Sequence, residues 1–245
     1  REHEKVSLHL NESPLEVRTF ENKVIGLKTD KKEYAANLII VATGVKPNTE
    51  FLKDTGIELF TNGAIVINRF GETNIPNVYA AGDCATVYHS VLEKNVYIAL
   101  ATTANKLGRL IGENLTGANK AFIGTLGSAG IKVLEFEAAR TGITEQEAKD
   151  NNINYKTIFV DGEDHAAYYP NGENVYIKLI YNADTKILLG AQVAGKRGAA
   201  LRADSLAVAI QNKMTVQELA NMDFLYAPPF ATTWDIMNVA GNVAK

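Results

Sequence analysis

The sequence predicts a chain of mixed class, with an α/β part followed by an α+β part. Residues 38–41 and 78–81 are short, continuous apolar runs, as in strands that are buried in a parallel sheet. After a polar, glycine-containing stretch at residues 117–120, strand-like segments come first and helical patterns follow. This strands-then-helices order is typical of α+β domains.

The composition favours a globular protein of one or two domains. The 245 residues are 46% hydrophobic, and the formal net charge of -3 comes with neither a basic patch for nucleic acid nor an acidic tail. Because we find no signal peptide and no apolar run of about eighteen residues, we expect a cytoplasmic protein without a membrane contact. The single cysteine, Cys84, and four scattered histidines predict no disulfide framework and no metal site.

The first 41 residues predict strands with hairpin turns between them. The strand-like runs are residues 6–10, 15–20, 24–29 and 34–41, the last ending in the apolar run 38–41. Gly44 follows this run, where a glycine lets a dinucleotide come close. Gly44 and Lys46 are equally well interpreted as a turn and a solvated cation.

The segment before the second apolar run predicts a short helix over residues 49–54, capped by Thr49, and a hairpin near Gly63. The run 78–81 then predicts a buried strand followed by Gly82 and Asp83. Ligands of open α/β sheets lie at the carboxyl ends of strands, and an acid there suits the hydroxyl groups of a sugar-like chain. The alternative is an aspartate that caps the next turn.

Residues 98–115 predict an amphipathic helix that ends before Gly117. Its amino end carries Ala101, Thr102 and Thr103, and its free N–H groups suit a phosphate or an electron-rich ring. The alternative is a plain surface helix with a threonine cap. His89, in the preceding loop, is expected at the surface.

The second part predicts alternating strands and capped helices. Strands are expected at residues 131–137, 155–160, 175–181 and 187–193, and helices at residues 199–212 and 230–243. Thr144 and Thr215 each have a glutamate three residues later, which is the pattern of a capping box opening a short helix.

Two aromatic stretches, residues 161–170 and 224–234, are poor core segments and are candidates for chemistry. The second reads F-L-Y-A-P-P-F-A-T-T-W, and its two prolines fix Tyr226 and Phe230. Phenols at fixed positions can donate hydrogen bonds to a thiolate or a substrate. An aromatic dimer interface is the alternative, and both can hold at once.

Three motifs in order resemble the pyridine nucleotide-disulfide oxidoreductase family. They are V-A-T-G-V-K-P-N at residues 41–48, A-A-G-D at residues 80–83 and A-T-T-A-N-K at residues 101–106. The resemblance implies that residues 1–50 end an NAD(P)H-binding domain and that residues 51–118 are the carboxyl-terminal part of a doubly wound FAD-binding domain. Residues 119–245 would then be the α+β dimerisation domain.

Within this family, the second aromatic stretch is more similar to coenzyme A-disulfide reductases than to NADH oxidases and peroxidases. The resemblance implies that Tyr168 and Tyr226 reach the site from the partner subunit and take part in the sulfur chemistry, although the adjacent Tyr169 could replace Tyr168. It places Asn105 and Trp234 near coenzyme A, and Tyr226 also near the flavin.

The resemblance also implies a homodimer that uses FAD and NADH or NADPH to reduce coenzyme A disulfide. The implied cofactor contacts are Gly44, Gly82, Asp83, Ala101, Thr102 and Tyr226. The sequence contains no G-x-G-x-x-G fingerprint, and the family's redox cysteine lies in an amino-terminal region, which leaves Cys84 a structural role. We therefore expect an inactive carboxyl-terminal fragment of the enzyme. The alternatives are an NADH oxidase or peroxidase and a non-catalytic dimerisation module.

Overall fold

A computed structural model of the chain describes residues 5–244. The chain forms two compact units, and the first ends at Val45. In that unit, an antiparallel meander is formed by β1 (Pro14–Phe20), β2 (Lys23–Thr29) and β3 (Glu33–Ala35). The strands predicted at residues 15–20 and 24–29 are confirmed, and only the beginning of the one predicted at 34–41 forms.

The predicted central strand at residues 38–41 is absent from the first unit. Leu38, Ile40 and Val41 are exposed, Ile40 by 81%, and no strand pairs with this run among residues 5–45. Residues 6–10 do not form a continuous strand either. Both predictions were wrong because an apolar run becomes a strand only where a neighbour satisfies its N–H and C=O groups.

The second unit begins with a segment that is poor in regular structure. Residues 46–126 contain the 3-10 helix Glu50–Leu52, β4 (Val87–His89), β5 (Lys94–Val96) and α1 (Ala101–Leu115). The Thr49 hydroxyl donates to the Gly63 carbonyl at 2.6 Å and does not cap the short helix. The helix predicted at 98–115 is confirmed, and Gly117 follows it with a φ of 100°.

The strand predicted at residues 78–81 is also absent. The segment makes an isolated bridge between Tyr79 and Glu72, and the Ala80 N–H donates to the Gly71 carbonyl at 3.0 Å. Ala80 still packs into a small core with Leu107 and Ile111 of α1. The segment is thus partly buried as predicted, but it has no neighbouring strand on which to extend.

His89 is buried, which corrects the prediction of a surface position. Its side chain is 2% exposed, and Nδ1 accepts hydrogen bonds from the N–H groups of Val91 and Leu92 at 3.2 and 3.3 Å. The ring therefore closes the turn after β4 from the inside. A histidine with two local backbone donors can be buried without a side-chain partner.

The rest of the second unit is built on a five-stranded antiparallel sheet. Its spatial order is β6-β7-β10-β9-β8. The strands are β6 (Ala129–Val133), β7 (Phe136–Gly142), β8 (Tyr155–Glu163), β9 (Asn174–Asn182) and β10 (Leu188–Gly195). The single strand predicted at residues 131–137 is a hairpin, because Leu134 adopts a φ of 55° and reverses the chain.

Four helices complete the unit: α2 (Glu145–Asp150), α3 (Ala199–Gln211), α4 (Val216–Ala220) and α5 (Ile236–Val243). Both predicted capping boxes are present, at Thr144 and Thr215. The terminal helix begins at Ile236, capped by Asp235, and not at residue 230. A core of Ile177, Leu179, Leu206 and other apolar side chains joins the sheet to α3, α4 and α5.

Candidate functional site

Two loops of the second unit meet at a pair of tyrosines. The first tyrosine loop, residues 164–173, joins β8 to β9, and the second tyrosine loop, residues 221–235, joins α4 to α5. The hydroxyl oxygens of Tyr168 and Tyr226, from opposite loops, lie 2.7 Å apart and form a hydrogen bond. The structure therefore joins the two tyrosines that the sequence singled out.

The tyrosine pair is accessible, and the hydrogen bond within it affects the acidity of Tyr168. Tyr168 is 74% exposed and Tyr226 is 45% exposed. The hydrogen bond with Tyr226, together with partial burial, raises the pKa of the Tyr168 phenol above its ordinary value of 10.0. Since the pair has two hydroxyl protons and uses one between its members, the second O–H can be donated to a ligand.

Tyr169 has a different environment from its neighbour. Its ring meets the edge of His165, with centroids 5.5 Å apart, and its N–H donates to the Ala166 carbonyl at 2.8 Å. Its hydroxyl makes no hydrogen bond within residues 5–244. The geometry therefore identifies Tyr168, and not Tyr169, as the hydrogen-bond partner of Tyr226. The Tyr169 ring instead contacts His165 of the same loop.

A buried carboxylate closes the base of the first tyrosine loop. Asp164 is 3% exposed and accepts hydrogen bonds from the Glu173 N–H, His165 Nδ1 and Arg197 Nε, at 3.0, 2.6 and 2.9 Å. Burial by itself would raise the pKa of Asp164. The Glu173 and His165 donors and the charge of Arg197 outweigh it and hold that pKa below its ordinary value.

A buried ion pair joins the same loop to the end of the second. Arg202 on α3 donates from Nη2 to Asp235 Oδ2 at 2.7 Å and to the Asp164 carbonyl at 2.9 Å. Both Arg202 and Asp235 are buried, and Asp235 also accepts from the Met237 N–H as the cap of α5. The pair fixes the chain directly after Trp234 against the start of the first tyrosine loop.

Sequence reasoning missed this polar network. Its members are Asp164, His165, Arg197, Arg202 and Asp235. The adjacent acid and histidine just before Tyr168 were a signal for the first two. Arg202 and Asp235 stand 33 residues apart, and no local pattern joins them.

Four of the residues predicted to contact the cofactor lie at the amino end of α1 or next to it, whereas Tyr226 lies in the second tyrosine loop. A Cβ on Gly82, whose φ is 86°, would lie 3.9 Å from the Cβ of Ala104. Asp83 is exposed, and its carboxylate makes no hydrogen bond or ion pair within residues 5–244, so it does not cap the next turn. Ala101 and Thr102 are exposed in the first turn, where helical N–H groups lack partners. An exposed acid and free N–H donors suit the hydroxyls and electron-rich ring of a dinucleotide.

The remaining predicted residues differ in their exposure and packing. Asn105 is exposed on α1, and Trp234 is 59% exposed in the second tyrosine loop. Gly44, in the first unit, has a φ of 96° and open space around its Cα. Cys84 is half-buried, and its Sγ donates to the Ala81 carbonyl at 3.4 Å.

A cleft of about 570 Å³ opens between α1 and α3. Thr102 and Lys106 line it on one side, and Asp204 and Gln211 line it on the other. Neither Tyr168 nor Tyr226 lines it. This cleft therefore does not bring the tyrosine pair and the amino end of α1 together.

The described part of the chain has neither a metal-binding cluster nor a membrane-spanning helix. Residues 5–244 contain no group of three or more histidine, cysteine, aspartate or glutamate side chains that could hold a metal ion. None of the helices there has the length and hydropathy of a membrane span.

Comparison with known proteins identifies the family. Residues 1–108 match the family model described as pyridine nucleotide-disulphide oxidoreductase. Residues 128–237 match the model of the dimerisation domain of the same enzymes. The chain belongs to the pyridine nucleotide-disulphide oxidoreductase family. The predicted fold, an α/β part followed by an α+β dimerisation domain, is that of this family. The boundaries predicted after residues 50 and 118 stay predictions.

Relatives in the family act on sulfur compounds or on oxygen. The chain is 38% identical over 245 residues to a CoA-dependent NAD(P)H sulfur oxidoreductase of Pyrococcus furiosus, covering 100% of the chain and 54% of the relative. It is 32% identical over 242 residues to a coenzyme A disulfide reductase of Staphylococcus aureus, covering 98% and 54%. A water-forming NADH oxidase of Lactobacillus brevis, bound to NADH, superimposes with a TM-score of 0.87 at 31% identity, covering 95% of this chain and 51% of the oxidase. The chain spans about half the length of these curated relatives.

Proposed function

We propose that the protein of which this chain is part reduces a coenzyme A-linked disulfide or persulfide, with FAD as its cofactor and NADH or NADPH as its electron donor. The hydrogen-bonded, exposed pair of Tyr168 and Tyr226 is the observation that carries this proposal. Reduction of oxygen to water needs no positioned phenol pair, whereas a leaving thiolate is stabilised by a positioned hydrogen-bond donor.

The tyrosine pair would act on the sulfur that leaves. A cysteine thiolate attacks one sulfur of the substrate, the sulfur–sulfur bond breaks, and coenzyme A departs as a thiolate. The free O–H of the pair donates a hydrogen bond to that departing sulfur and stabilises its negative charge. The phenol of Tyr168 is protonated at neutral pH, which is the form that donates, and its raised pKa extends this form to higher pH.

The attacking thiolate is not expected to come from Cys84. Its Sγ is half-buried against the Ala81 carbonyl, whereas exchange needs an exposed thiolate. We assign Cys84 a structural role and place the exchanging cysteine outside these residues.

The cluster at the amino end of α1 would hold the cofactor. Asp83 would accept hydrogen bonds from sugar-like hydroxyls, and the N–H groups of Ala101 and Thr102 would donate to the ring. Gly82 leaves room for close approach, and Gly44 would do the same for the nicotinamide nucleotide. FAD, when bound, supplies the redox chemistry that links the nicotinamide to sulfur.

Coenzyme A recognition is assigned to two exposed side chains. The Trp234 indole offers an aromatic face on which an adenine can stack. Asn105, on the outer face of α1, offers both a donor and an acceptor. Tyr226 lies eight residues before Trp234 in the same loop, so phenol and indole would serve one substrate.

A homodimer is part of the proposal. Residues 128–237 match a dimerisation domain, and one face of the five-stranded sheet exposes Ile131, Val133 and Phe159 by 64%, 58% and 62%. An open hollow of about 500 Å³ lies on the same sheet and includes Ile131 and Phe159. Exposed apolar surface of this extent is typical of a protein interface.

The test is turnover by the full-length protein with FAD. We expect NADH or NADPH oxidation to depend on coenzyme A disulfide or persulfide, and Tyr168→Phe or Tyr226→Phe to lower it on the order of 10²-fold, the effect of removing one positioned donor. Tyr169→Phe is the matched control, since its hydroxyl has no partner, and it should leave the rate unchanged.

Two outcomes would favour other functions. Oxidation of NADH by oxygen or peroxide, without any response to the disulfide, would make the protein an oxidase like the L. brevis enzyme. For the 245-residue chain itself, an absorbance spectrum with added FAD and a sedimentation mass decide whether the chain binds FAD and whether it forms a dimer. A colourless dimer would identify the chain as a dimerisation module that needs further residues to act.

A further inference from the structure

We propose that His165 is a positioning residue, which sets Tyr168 in hydrogen-bonding distance of Tyr226. Tyr168 is 74% exposed, so packing on its own ring cannot fix where its hydroxyl lies. Its position must therefore be set through the backbone of the first tyrosine loop. His165 is 1% exposed and lies three residues before it.

The ends of the first tyrosine loop are closed by reciprocal hydrogen bonds. The Asp164 N–H donates to the Glu173 carbonyl at 2.8 Å, and the Glu173 N–H donates to Asp164 Oδ1 at 3.0 Å. These bonds hold the base of the loop but touch nothing near Tyr168. A second element is needed for the middle of the loop.

The His165 ring supplies that element. Its Nε2 lies 3.3 Å from the carbonyl oxygens of both Tyr169 and Pro170, which follow Tyr168 directly. Its Nδ1 lies 2.6 Å from Asp164 Oδ1. The ring thus connects the fixed base of the loop to the backbone that carries the tyrosine.

Both ring nitrogens of His165 face acceptors. Nδ1 meets a carboxylate and Nε2 meets two carbonyls, and a neutral imidazole has a proton on one nitrogen only. The Nδ1 contact ties the ring to the Asp164 carboxylate, and Arg197 completes that carboxylate's hydrogen bonds.

The same turn is tied to the second tyrosine loop. The Ala166 N–H donates to the Pro228 carbonyl at 3.3 Å, and Pro228 stands two residues after Tyr226. Arg202 joins the Asp164 carbonyl to Asp235 on the far side. The distance between the two phenols is therefore set by main-chain contacts on each side of His165.

The first test uses the 245-residue chain and carbon-13 tyrosine NMR, with the Tyr168 signal assigned by Tyr168→Phe. In His165→Gln, the titration of Tyr168 should move down from its raised position toward that of an ordinary tyrosine, as it should in Tyr226→Phe. His89→Gln removes a histidine of similar burial elsewhere and should leave the titration unchanged. A folded His165→Gln with an unmoved Tyr168 titration would overturn the proposal.

A second measurement needs no variant and applies even if His165→Gln fails to fold. Nuclear Overhauser spectra of the unmodified chain should show contacts between the His165 ring protons and the backbone of residues 169–170. A folded chain without these contacts would contradict the proposed role of His165 in the loop.

The effect on turnover is tested in the full-length protein and rests on the proposed function. His165→Gln and Tyr168→Phe should each lower kcat by roughly 10- to 100-fold, since displacing a reacting group by about 1 Å can cost as much. The double variant should lose little more than either single one. If the two losses of kcat multiply in the double variant, His165 acts independently of Tyr168. An unchanged rate in Tyr168→Phe would count against the proposed function, while the titration still decides the positioning.

Discussion

The two parts of the second unit differ in how the backbone N–H and C=O groups of their strands find hydrogen-bond partners. In the sheet region (residues 127–244), five strands pair continuously, and most partners are neighbours in the sequence. In the helix region (residues 46–126), β4 and β5 form the one continuous pair among the described residues, and the other contacts are isolated bridges. Antiparallel hairpins find partners nearby in sequence, whereas a strand of parallel type depends on distant segments.

The hydrophobic core of the sheet region is also larger than that of the helix region. The sheet region buries Ile177, Leu179 and Leu206 completely between the sheet and its helices. The helix region gathers a smaller set around Leu107 and Ile111 of α1. A side chain added at the close strand contact of Gly190 in the sheet region should therefore meet backbone, whereas one added at Gly112 on the exposed face of α1 should meet open space.

The largest expected effect is at a close approach of two strands in the sheet region. A Cβ on Gly190 of β10 would lie 1.8 Å from the Ile143 carbonyl oxygen. Gly190→Ala should therefore lower the free energy of unfolding by about 3 kcal/mol or more, because backbone cannot move aside cheaply. Urea denaturation of the chain measures it.

Gly130 of β6 is the matched control for that substitution. Its added Cβ would lie 3.6 Å or more from its neighbours, which is an ordinary contact. Gly130→Ala should change the free energy of unfolding by about 0.5 kcal/mol or less. Equal losses at the two glycines would mean that the β7–β10 contact is not tightly packed.

A smaller effect of opposite sign is expected in the helix region. Gly112 lies inside α1, is exposed, and has nothing within 4 Å of an added Cβ. Gly112→Ala should raise the free energy of unfolding by about 0.5–1 kcal/mol, because alanine loses less conformational entropy in a helix. Thermal denaturation measures the gain.

Gly117→Ala is a control, which separates the effect of helix propensity from the effect of adding a methyl group. Gly117 has as much free space as Gly112, but its φ is 100°, which side chains avoid. Gly117→Ala should lower stability where Gly112→Ala raises it. A gain at both positions would show that the end of α1 is not held in this conformation.

The smallest expected effect is a pH dependence from His89, also in the helix region. Burial lowers the pKa of this histidine below its ordinary value of 6.5; the charge of Glu147 opposes this shift, and the charge of Arg140 adds to it. Between the folded pKa and 6.5, the unfolded chain binds more protons. Stability is therefore full above about pH 6.5 and is lost as the pH falls below it.

The measurement compares denaturation midpoints of the chain and of His89→Gln from pH 8 to pH 5. The variant should lose less stability over this range than the unmodified chain. Parallel pH profiles would show that His89 does not titrate as a buried group. A steeper profile in the variant would reverse the sign of its contribution.

The sequence predicted most of the sheet region because its signals are local. The capping boxes at Thr144 and Thr215 need four residues each, and the alternating strands need only their own side chains. The same reasoning failed at residues 38–41 and 78–81. Their apolar composition predicts a strand, but a strand forms only where a neighbouring strand pairs with it. It also merged β6 and β7, because it missed the turn at Leu134.

For the candidate site, the sequence indicated the residues but not their arrangement. The prolines and aromatics of the second tyrosine loop marked Tyr226, and the first marked Tyr168 with Tyr169 as an open alternative. The structure pairs Tyr168 with Tyr226, and it places Asp83 beside the amino end of α1. The roles of these residues in cofactor and substrate binding stay predictions.

The sequence by itself determined the family motifs, the helix caps and the hydrophobic pattern of each strand, because each depends on residues a few positions apart. Tertiary structure alone decided the tyrosine contact across 58 residues and the ion pair of Arg202 with Asp235 across 33. The physical reason is that a hydrogen bond between distant residues forms only after the chain has paid the entropy of loop closure, and the whole fold supplies that free energy.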